Sequence, residues 1–157
     1  IRLADDDRLA KMTLDVHLAR GHALGPDDEA RLLRAMPFIK DRAKTVLELA
    51  DQTGFALKVR PLSIYEKALP MLTGESGERI GRLRDRLKLF ASWDVFALEA
   101  ELKVFAEEEA VGFGKIGPAV RAALTGDGVS PDIAKTLAAL GREESLGRLD
   151  DALQQTI

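Results

Sequence analysis

Few side chains in this sequence have the types and spacing that catalysis or metal binding requires. His17 and His22 lie five residues apart, so they do not share one helical face at the spacing of a metal-binding pair. The runs Glu107–Glu109 and Glu143–Glu144 place neighbouring carboxylates on different sides of a helix, which is typical of a solvated surface. The absence of cysteine excludes disulfides, thiolate metal sites and cysteine nucleophiles. We therefore predict no catalytic residues and no metal ligands.

Two segments are better suited to binding phosphate groups. The stretch Gly112–Lys115 is glycine-rich and ends in lysine, but it lacks the full pattern of a nucleotide-triphosphate loop. We interpret it as a lead-in that offers amide N–H groups and the Lys115 ammonium to a backbone phosphate. Between Arg79 and Lys88 the chain carries five basic residues and one acid. This spacing predicts a local positive stripe, and a solvated outer helix face is the alternative.

The composition favours a helical protein of one or two small domains. The chain has 157 residues and a net charge of −3, and 46% of its residues are hydrophobic. Alanine and leucine together number 46 residues, whereas valine, isoleucine and threonine together number 22. That ratio favours helices over strands. No apolar run is long enough for a membrane span, so we expect a cytoplasmic protein.

Capping and breaking residues predict the order of the helices. Gly25-Pro26 followed by acids predicts one helix start, and a second helix is expected from Pro37 to about Asp51, closed by Gly54. Breaks are expected near Pro61 and between residues 70 and 77. Later helices are predicted from Ser92 as N-cap, from Pro118 to Gly126, from Ser130-Pro131 to Gly141, and around Leu146, Leu149 and Leu153.

The stretch from Phe113 to Leu149 resembles a known family. Residues 113–126 read FGKIGPAVRAALTG, followed by VSP at 129–131, LGREE at 140–144 and RL at 148–149. This order of short phrases is similar to the C-terminal end of bacterial glutamyl-tRNA synthetases. Residues 40–48, KDRAKTVLE, are similar to the arginine-bearing helix of the same family, and Trp93 falls where the family often has tryptophan. The pair Asp127-Gly128 departs from the basic or polar loop that is common there.

The resemblance covers essentially the whole chain and implies the all-helical anticodon-binding region of such a synthetase. It implies two small helical subdomains in tandem, at residues 1–65, truncated at its N-terminus, and 66–157. Its partners would be tRNA(Glu), with tRNA(Gln) left open, and the catalytic domain of the same chain, in a monomer that binds neither membrane nor DNA. The fragment itself would need no cofactor, whereas the full-length enzyme would use ATP and Mg. Because the chain starts without methionine and lacks the catalytic signatures, we expect a fragment.

The resemblance also implies which residues contact RNA. By the family's pattern Arg121, Ser130 and Ile133 line the anticodon pocket, and the arginine matching Arg42 is associated with the third anticodon base. For Arg121 the alternative is an ion pair with Asp127 or Glu143, and for Ser130 it is helix capping alone. Arg42 is predicted at the edge of the apolar face of its helix, beside Val46 and Leu49, or else paired with Asp41 or Asp51. Contacts to the tRNA backbone are predicted for Arg82, Arg86 and Lys115.

A different class of function stays open beside this one. A helical protein-interaction adapter would use the basic stripe only for solubility, and a free-standing truncated paralogue is a third reading. Salt dependence separates RNA binding from the adapter, because phosphate contacts release counterions and weaken steeply as salt rises.

Overall fold

The structure is a computed structural model that describes residues 5–127 and 130–155. The described ranges contain helices and no strand, which confirms the predicted all-α class. No helix in these ranges is both long and apolar enough to cross a membrane. The α-helices are α1 (Asp6–Ala19), α2 (Asp28–Ile39), α3 (Val46–Leu57), α4 (Gly74–Lys88), α5 (Val95–Glu108), α6 (Phe113–Thr125), α7 (Ile133–Leu140) and α8 (Arg142–Gln154), and the 3-10 helices are η1 (Lys40–Arg42) and η2 (Glu66–Leu72).

The first compact unit ends at Lys58 and consists of α1, α2, η1 and α3. Each of the three α-helices packs on the other two. Helix α1 begins where the Asp5 carboxylate accepts a hydrogen bond from the amide of Asp7, with acids in its first turn. The core between the helices is formed by fully buried side chains: Leu9, Leu32, Ala35, Met36, Ile39 and Leu49.

The predicted helix from Pro37 to Asp51 is wrong. Helix α2 continues through Pro37 to Ile39, because a proline so near the end of a helix removes only one hydrogen bond before the helix stops. A new helix then starts at Val46, since the Thr45 hydroxyl accepts from the Glu48 amide at 3.1 Å and the Glu48 carboxylate accepts from the Lys44 amide. Gly54 does not close this helix, which extends to Leu57.

A buried histidine links α1 to α3 in the first unit. His17 is 1% exposed, and its Nε2 lies 3.2 Å from the Thr53 hydroxyl. Because that hydroxyl donates its single proton to the Leu49 carbonyl, the imidazole Nε2–H must donate to Thr53. On the other side the His17 Nδ1 lies 3.1 Å from the Nδ1 of His22. Burial, followed by electrostatic interaction with His22 and Arg20, lowers the pKa of His17 from its ordinary value of 6.5.

We expect the first unit to lose stability as pH falls from 7 to 5. The unfolded chain takes up a proton at His17 near pH 6.5, whereas the folded unit resists it, so protonation favours the unfolded state across that interval. Amide hydrogen exchange in α1 and α3 at the two pH values measures the change. Both histidines of the chain lie in this unit, so imidazole NMR can follow them directly. Equal exchange protection at pH 7 and 5 would contradict the expectation, and His17→Asn should flatten the dependence.

The second compact unit begins at Val59 and contains η2 and α4 to α8. Helix α8 packs against α4, α6 and α7, and α5 packs mainly against α7. The Trp93 indole donates to the Leu137 carbonyl at 2.9 Å, and the Arg142 guanidinium lies over the Trp93 ring. The core of this unit is mostly apolar, with the exception of a few buried polar side chains such as that of Arg148. Its fully buried apolar side chains include Ile80, Leu83, Leu87, Leu98, Ile116, Val120, Leu124, Leu137 and Leu149.

In the second unit, capping residues in the sequence predicted where helices end more accurately than where they begin. Helix α6 ends at Gly126 and α7 at Gly141, as predicted, and both glycines have φ near +84°. The start of α6 is five residues earlier than predicted, at Phe113, so Pro118 lies inside it. The N-cap of α7 is Asp132, which accepts from the Lys135 amide, and not Ser130. Likewise Asp94, and not Ser92, caps α5.

The segment directly after Lys58 belongs to the second unit. Arg60 forms a bidentate ion pair with Asp151 at 2.8 and 3.0 Å. The Leu62 carbonyl accepts from the Gln155 side chain, and the Tyr65 amide donates to the Gly126 carbonyl. The compact units therefore divide after Lys58, earlier than the 65/66 subdomain boundary predicted from the sequence.

Candidate nucleic-acid interface

The structure brings together Arg121 and Ser130, two of the residues that the family resemblance assigns to the anticodon pocket. Arg121 lies on α6 and Ser130 precedes α7, and the Arg121 Nε donates to the Ser130 hydroxyl at 3.2 Å. The Arg121 Nη2 lies 3.5 Å from the Pro131 carbonyl. Both of the contacts that the structure describes for this guanidinium are to neutral oxygens, and neither is to Asp127 or Glu143. A half-buried arginine is thus held in place by neutral acceptors.

Ser130 is itself fixed from the α7 side. The Thr136 hydroxyl lies 3.0 Å from the Ser130 hydroxyl and is fully buried, with the Pro131 and Asp132 carbonyls also within 3.0 Å. The arginine, the serine and the threonine therefore form one hydrogen-bonded cluster at the start of α7. Thr136 was not predicted from the sequence. A single hydroxyl among the mostly apolar residues 133–140 could have indicated a buried polar group that needs a hydrogen-bond partner.

Ile133 is 2% exposed, so it does not present a free face for stacking. It lies instead in the wall of a largely apolar cleft of about 570 Å³ between α5, α7 and the start of α6. Charged residues contribute to its lining together with the apolar ones. Its lining residues are Glu99, Leu102, Lys103, Ala106, Glu107, Phe113, Asp132, Ile133 and Ala134.

The predicted environment of Arg42 is wrong, because the helix on which it was placed does not exist. Arg42 ends the 3-10 helix η1, and its side chain is exposed and not packed beside Val46 and Leu49. Its carbonyl accepts from the Gln52 side chain at 3.2 Å. The Asp51 carboxylate pairs with Arg20. Among the described residues the Arg42 guanidinium has no ion-pair partner, so it faces solvent with all its donors available.

The positive stripe predicted on α4 is largely neutralised by carboxylates of α5 and by Glu109, the residue that directly follows it. Arg82 forms a bidentate pair with Glu109 at 2.8 and 2.6 Å, and Arg86 pairs with both Glu101 and Glu108. Hydrogen bonds from Arg86 and Arg82 lower the pKa of Glu108 and Glu109, so these carboxylates stay charged at neutral pH. Backbone contacts by Arg82 and Arg86 stay a prediction, and they would compete with these pairs.

Lys115, the third predicted backbone contact, is exposed in the first turn of α6. Its backbone amide donates to the Gly112 carbonyl at 3.0 Å. Its side-chain ammonium has no partner among the described residues. Gly128 and Val129, which belong to the stretch that resembles the synthetase family, lie outside the described residues. Within the described ranges, no three histidine, aspartate or glutamate side chains converge in a way that would hold a metal ion.

A comparison with protein families decides which family this fold and this cluster belong to. The family described as anticodon binding domain matches residues 8–153. The chain belongs to the anticodon binding domain family. The match spans both compact units, so the two units together form this anticodon-binding domain.

Relatives of this anticodon-binding domain are much longer proteins. It is 51% identical over 153 residues to a glutamate–tRNA ligase of Caulobacter vibrioides, covering 98% of this chain and 33% of the relative. Identity to the glutamate–tRNA ligase of Caulobacter sp. strain K31 is 52%, over 98% of this chain and 32% of the relative. The chain thus spans about a third of the curated relatives it matches. The resemblance to bacterial glutamyl-tRNA synthetases is confirmed.

Solved structures share the fold of this anticodon-binding domain. A glutamate tRNA ligase from Elizabethkingia meningosepticum, solved in complex with its amino acid, matches 99% of this chain and 30% of its own with a TM-score of 0.76 at 19% identity. The glutamate-tRNA synthetase of Elizabethkingia anophelis matches 98% of this chain with a TM-score of 0.71. The arrangement of helices is therefore retained where most of the sequence has changed.

Proposed function

We propose that this domain recognises the anticodon loop of tRNA(Glu) for a glutamate–tRNA ligase. In this proposal the joining of glutamate to tRNA, with ATP and Mg, takes place in a catalytic domain beyond the 157 residues. The described residues provide no three convergent ligands for Mg, so we assign none of them to that chemistry. We further propose that the ligase works as a cytoplasmic monomer. The single observation that carries the proposal is the half-buried Arg121 guanidinium, held by the Ser130 hydroxyl, within a family of anticodon-binding domains.

The Arg121 cluster has the chemistry that reading an unpaired base requires. Anticodon bases are single-stranded, so their edges are accessible to arginine forks, hydroxyl groups and backbone carbonyls. The fixed Nε of Arg121 sets the plane of the guanidinium, while its remaining N–H donors can meet acceptors on a base. The apolar cleft beside Ile133 and Phe113 offers a surface for a base face.

The direct test is binding of a synthetic anticodon stem-loop of tRNA(Glu) to the whole chain at several salt concentrations. We expect affinity to fall as salt rises, since phosphate contacts release counterions, and to fall further when the anticodon bases are exchanged. A stem-loop with the same stem and a changed loop is the matched control. No binding at low salt, combined with capture of a protein partner, would favour the interaction adapter instead. Equal affinities for the two stem-loops would mean that the domain contacts the RNA backbone and does not read the anticodon bases.

We propose that Arg42 contacts the third anticodon base, and its exposed guanidinium supports this. In the full-length ligase, Arg42→Gln should narrow the preference for tRNA(Glu) over tRNA(Gln). A loss of about 1–3 kcal/mol in discrimination is expected if one good base contact disappears. Aminoacylation kinetics with both tRNAs measure it, and Lys44→Gln, at another exposed cation of the same loop, is the control. If catalytic efficiency fell equally for the two tRNAs, Arg42 would contact the RNA backbone and not a base. If it fell for neither tRNA, Arg42 would not contact the RNA.

A further inference from the structure

The two histidines of the chain meet where the backbone leaves α1. Gly21 follows the end of this helix with φ +85°, and the His22 amide donates to the His17 carbonyl at 3.1 Å. This turn closes many helices, and it folds the residue after the glycine back onto the last helical turn. A spacing of five residues, which would separate the two rings within a helix, therefore brings them together here.

The distance between the two Nδ1 atoms suits two ligands of one metal ion. These atoms lie 3.1 Å apart, and the ring centroids lie 5.2 Å apart. A Zn²⁺ ion about 2.0–2.1 Å from each nitrogen would see them at an angle of roughly 100°, near the tetrahedral angle of about 109°. Moving the rings apart by about 0.2–0.3 Å would reach the tetrahedral angle. Binding thus requires no rearrangement of the backbone.

The buried ring of the pair already has the tautomer that a metal requires. Because the His17 Nε2–H donates to the Thr53 hydroxyl, the Nδ1 of the neutral ring carries a lone pair and no proton. Without a metal, the His22 Nδ1–H donates to this lone pair. With a metal, neutral His22 carries its proton on Nε2 instead, and both Nδ1 lone pairs bind the ion. A hydrogen bond behind a ligating imidazole, like that to Thr53, fixes its orientation in metal sites.

Two carboxylates offset part of the charge that a cation would add. Asp28 and Asp51 act electrostatically on the His17 ring in the opposite sense to Arg20. The Arg20 guanidinium is bonded to Asp51 at 2.8 Å, and the Asp28 side chain is buried. The histidine pair therefore lies in surroundings that contain negative as well as positive charge.

We propose that His17 and His22 form a two-histidine site for Zn²⁺ or Cu²⁺. Imidazole nitrogen suits these ions, whereas Mg²⁺ takes oxygen ligands. No third histidine, aspartate or glutamate of the described ranges joins the pair as a ligand, and His22 is exposed, so water completes the coordination. The ion joins the turn after α1 to a ring that is bonded to α3, and it stabilises the first unit. This site is independent of RNA binding.

Titration of the whole chain with Zn²⁺ at neutral pH, without a histidine tag, tests the site. We expect calorimetry to give one ion per chain, and imidazole NMR to show both Nδ1 atoms changing to metal-bound nitrogen. Cu²⁺ should first broaden the amide signals around residues 17 and 22. At a free Zn²⁺ concentration 100 times the dissociation constant, hydrogen exchange that requires unfolding of α1 and α3 should slow about 100-fold.

His22→Gln is the decisive variant, because an exposed glutamine keeps a hydrogen-bond donor for His17 and leaves the core intact. It should weaken zinc binding by about 10-fold or more. Asp15→Asn, at an exposed carboxylate of α1, should bind zinc like the wild type, and Mg²⁺ should leave both rings unchanged. Absence of zinc binding to the wild type would overturn the proposal, as would undiminished binding to the His22 variant. A proton still present on the His22 Nδ1 at zinc saturation would overturn it too.

Discussion

Replacing Arg121 by glutamine is expected to weaken binding of the tRNA(Glu) stem-loop by about 10-fold to 100-fold, or about 1–3 kcal/mol. Glutamine keeps a polar side chain but lacks the charge and the planar fork that Ser130 orients. Equilibrium binding at fixed salt, measured with the cognate loop and with the exchanged loop, gives both affinity and discrimination. The loss should be larger for the cognate loop.

Arg84→Gln is the matched control for this experiment. Arg84 lies in the same unit but pairs with Asp85 and Asp150, away from the Arg121 cluster. Its removal should change affinity little. Ser130→Ala should fall between the two, since it frees the guanidinium plane without removing the charge. A cognate affinity unchanged in the Arg121 variant would eliminate this residue from the interface.

Replacing Arg148 by methionine should destabilise the second unit by about 3–5 kcal/mol. Arg148 is 1% exposed, and its guanidinium donates to the Glu144 carboxylate and to the Leu124 carbonyl, each at 2.7 Å. Methionine fills much of the volume but removes the charged donor from the Glu144 carboxylate and from the Leu124 carbonyl. Urea denaturation followed by the fluorescence of Trp93, which lies in the same unit, measures the free energy of unfolding.

The second variant for this prediction is Glu144→Gln combined with Arg148→Met. Removing the Glu144 charge should recover part of the lost stability, because much of the cost of breaking a buried ion pair comes from the charge that remains. A denaturation midpoint equal to wild type in the Arg148 variant would contradict the prediction. Since Arg148 bonds to the end of α6, loss of this pair should also loosen the helix that carries Arg121.

The sequence predicted features that depend on nearby residues. The ends of α6 and α7 follow from Gly126 and Gly141, because only a residue tolerant of positive φ closes a helix in that way. The family resemblance assigns Arg121 and Ser130 to one pocket, and the structure adds that the Arg121 Nε donates to the Ser130 hydroxyl. The restart of α3 was also available, in the capping pair Thr45 and Glu48, but the apolar spacing across residues 39–50 obscured it.

Features that depend on distant residues could not be predicted. The spacing of Arg82 and Arg86 indicates a basic face, but their neutralisation requires knowing that Glu108 and Glu109 approach from another helix. The buried state of Ile133 likewise depends on how α5 packs against α7. Charge spacing on one helix describes its own surface, whereas the opposing carboxylates come from a packing arrangement that a single sequence leaves undetermined.

The anchoring of residues 59–65 bears on how the second unit is best isolated. A shortened chain beginning at residue 66 would lose Arg60, leave Asp151 unpaired and remove the groups that bond Gln155 and Gly126. A shortened chain beginning at Val59 keeps all of these bonds. Recombinant production of residues 59–157 should therefore give soluble, protease-resistant material more readily than production of residues 66–157. The peptide bond after Lys58 is accordingly the natural place to insert an engineered cleavage site.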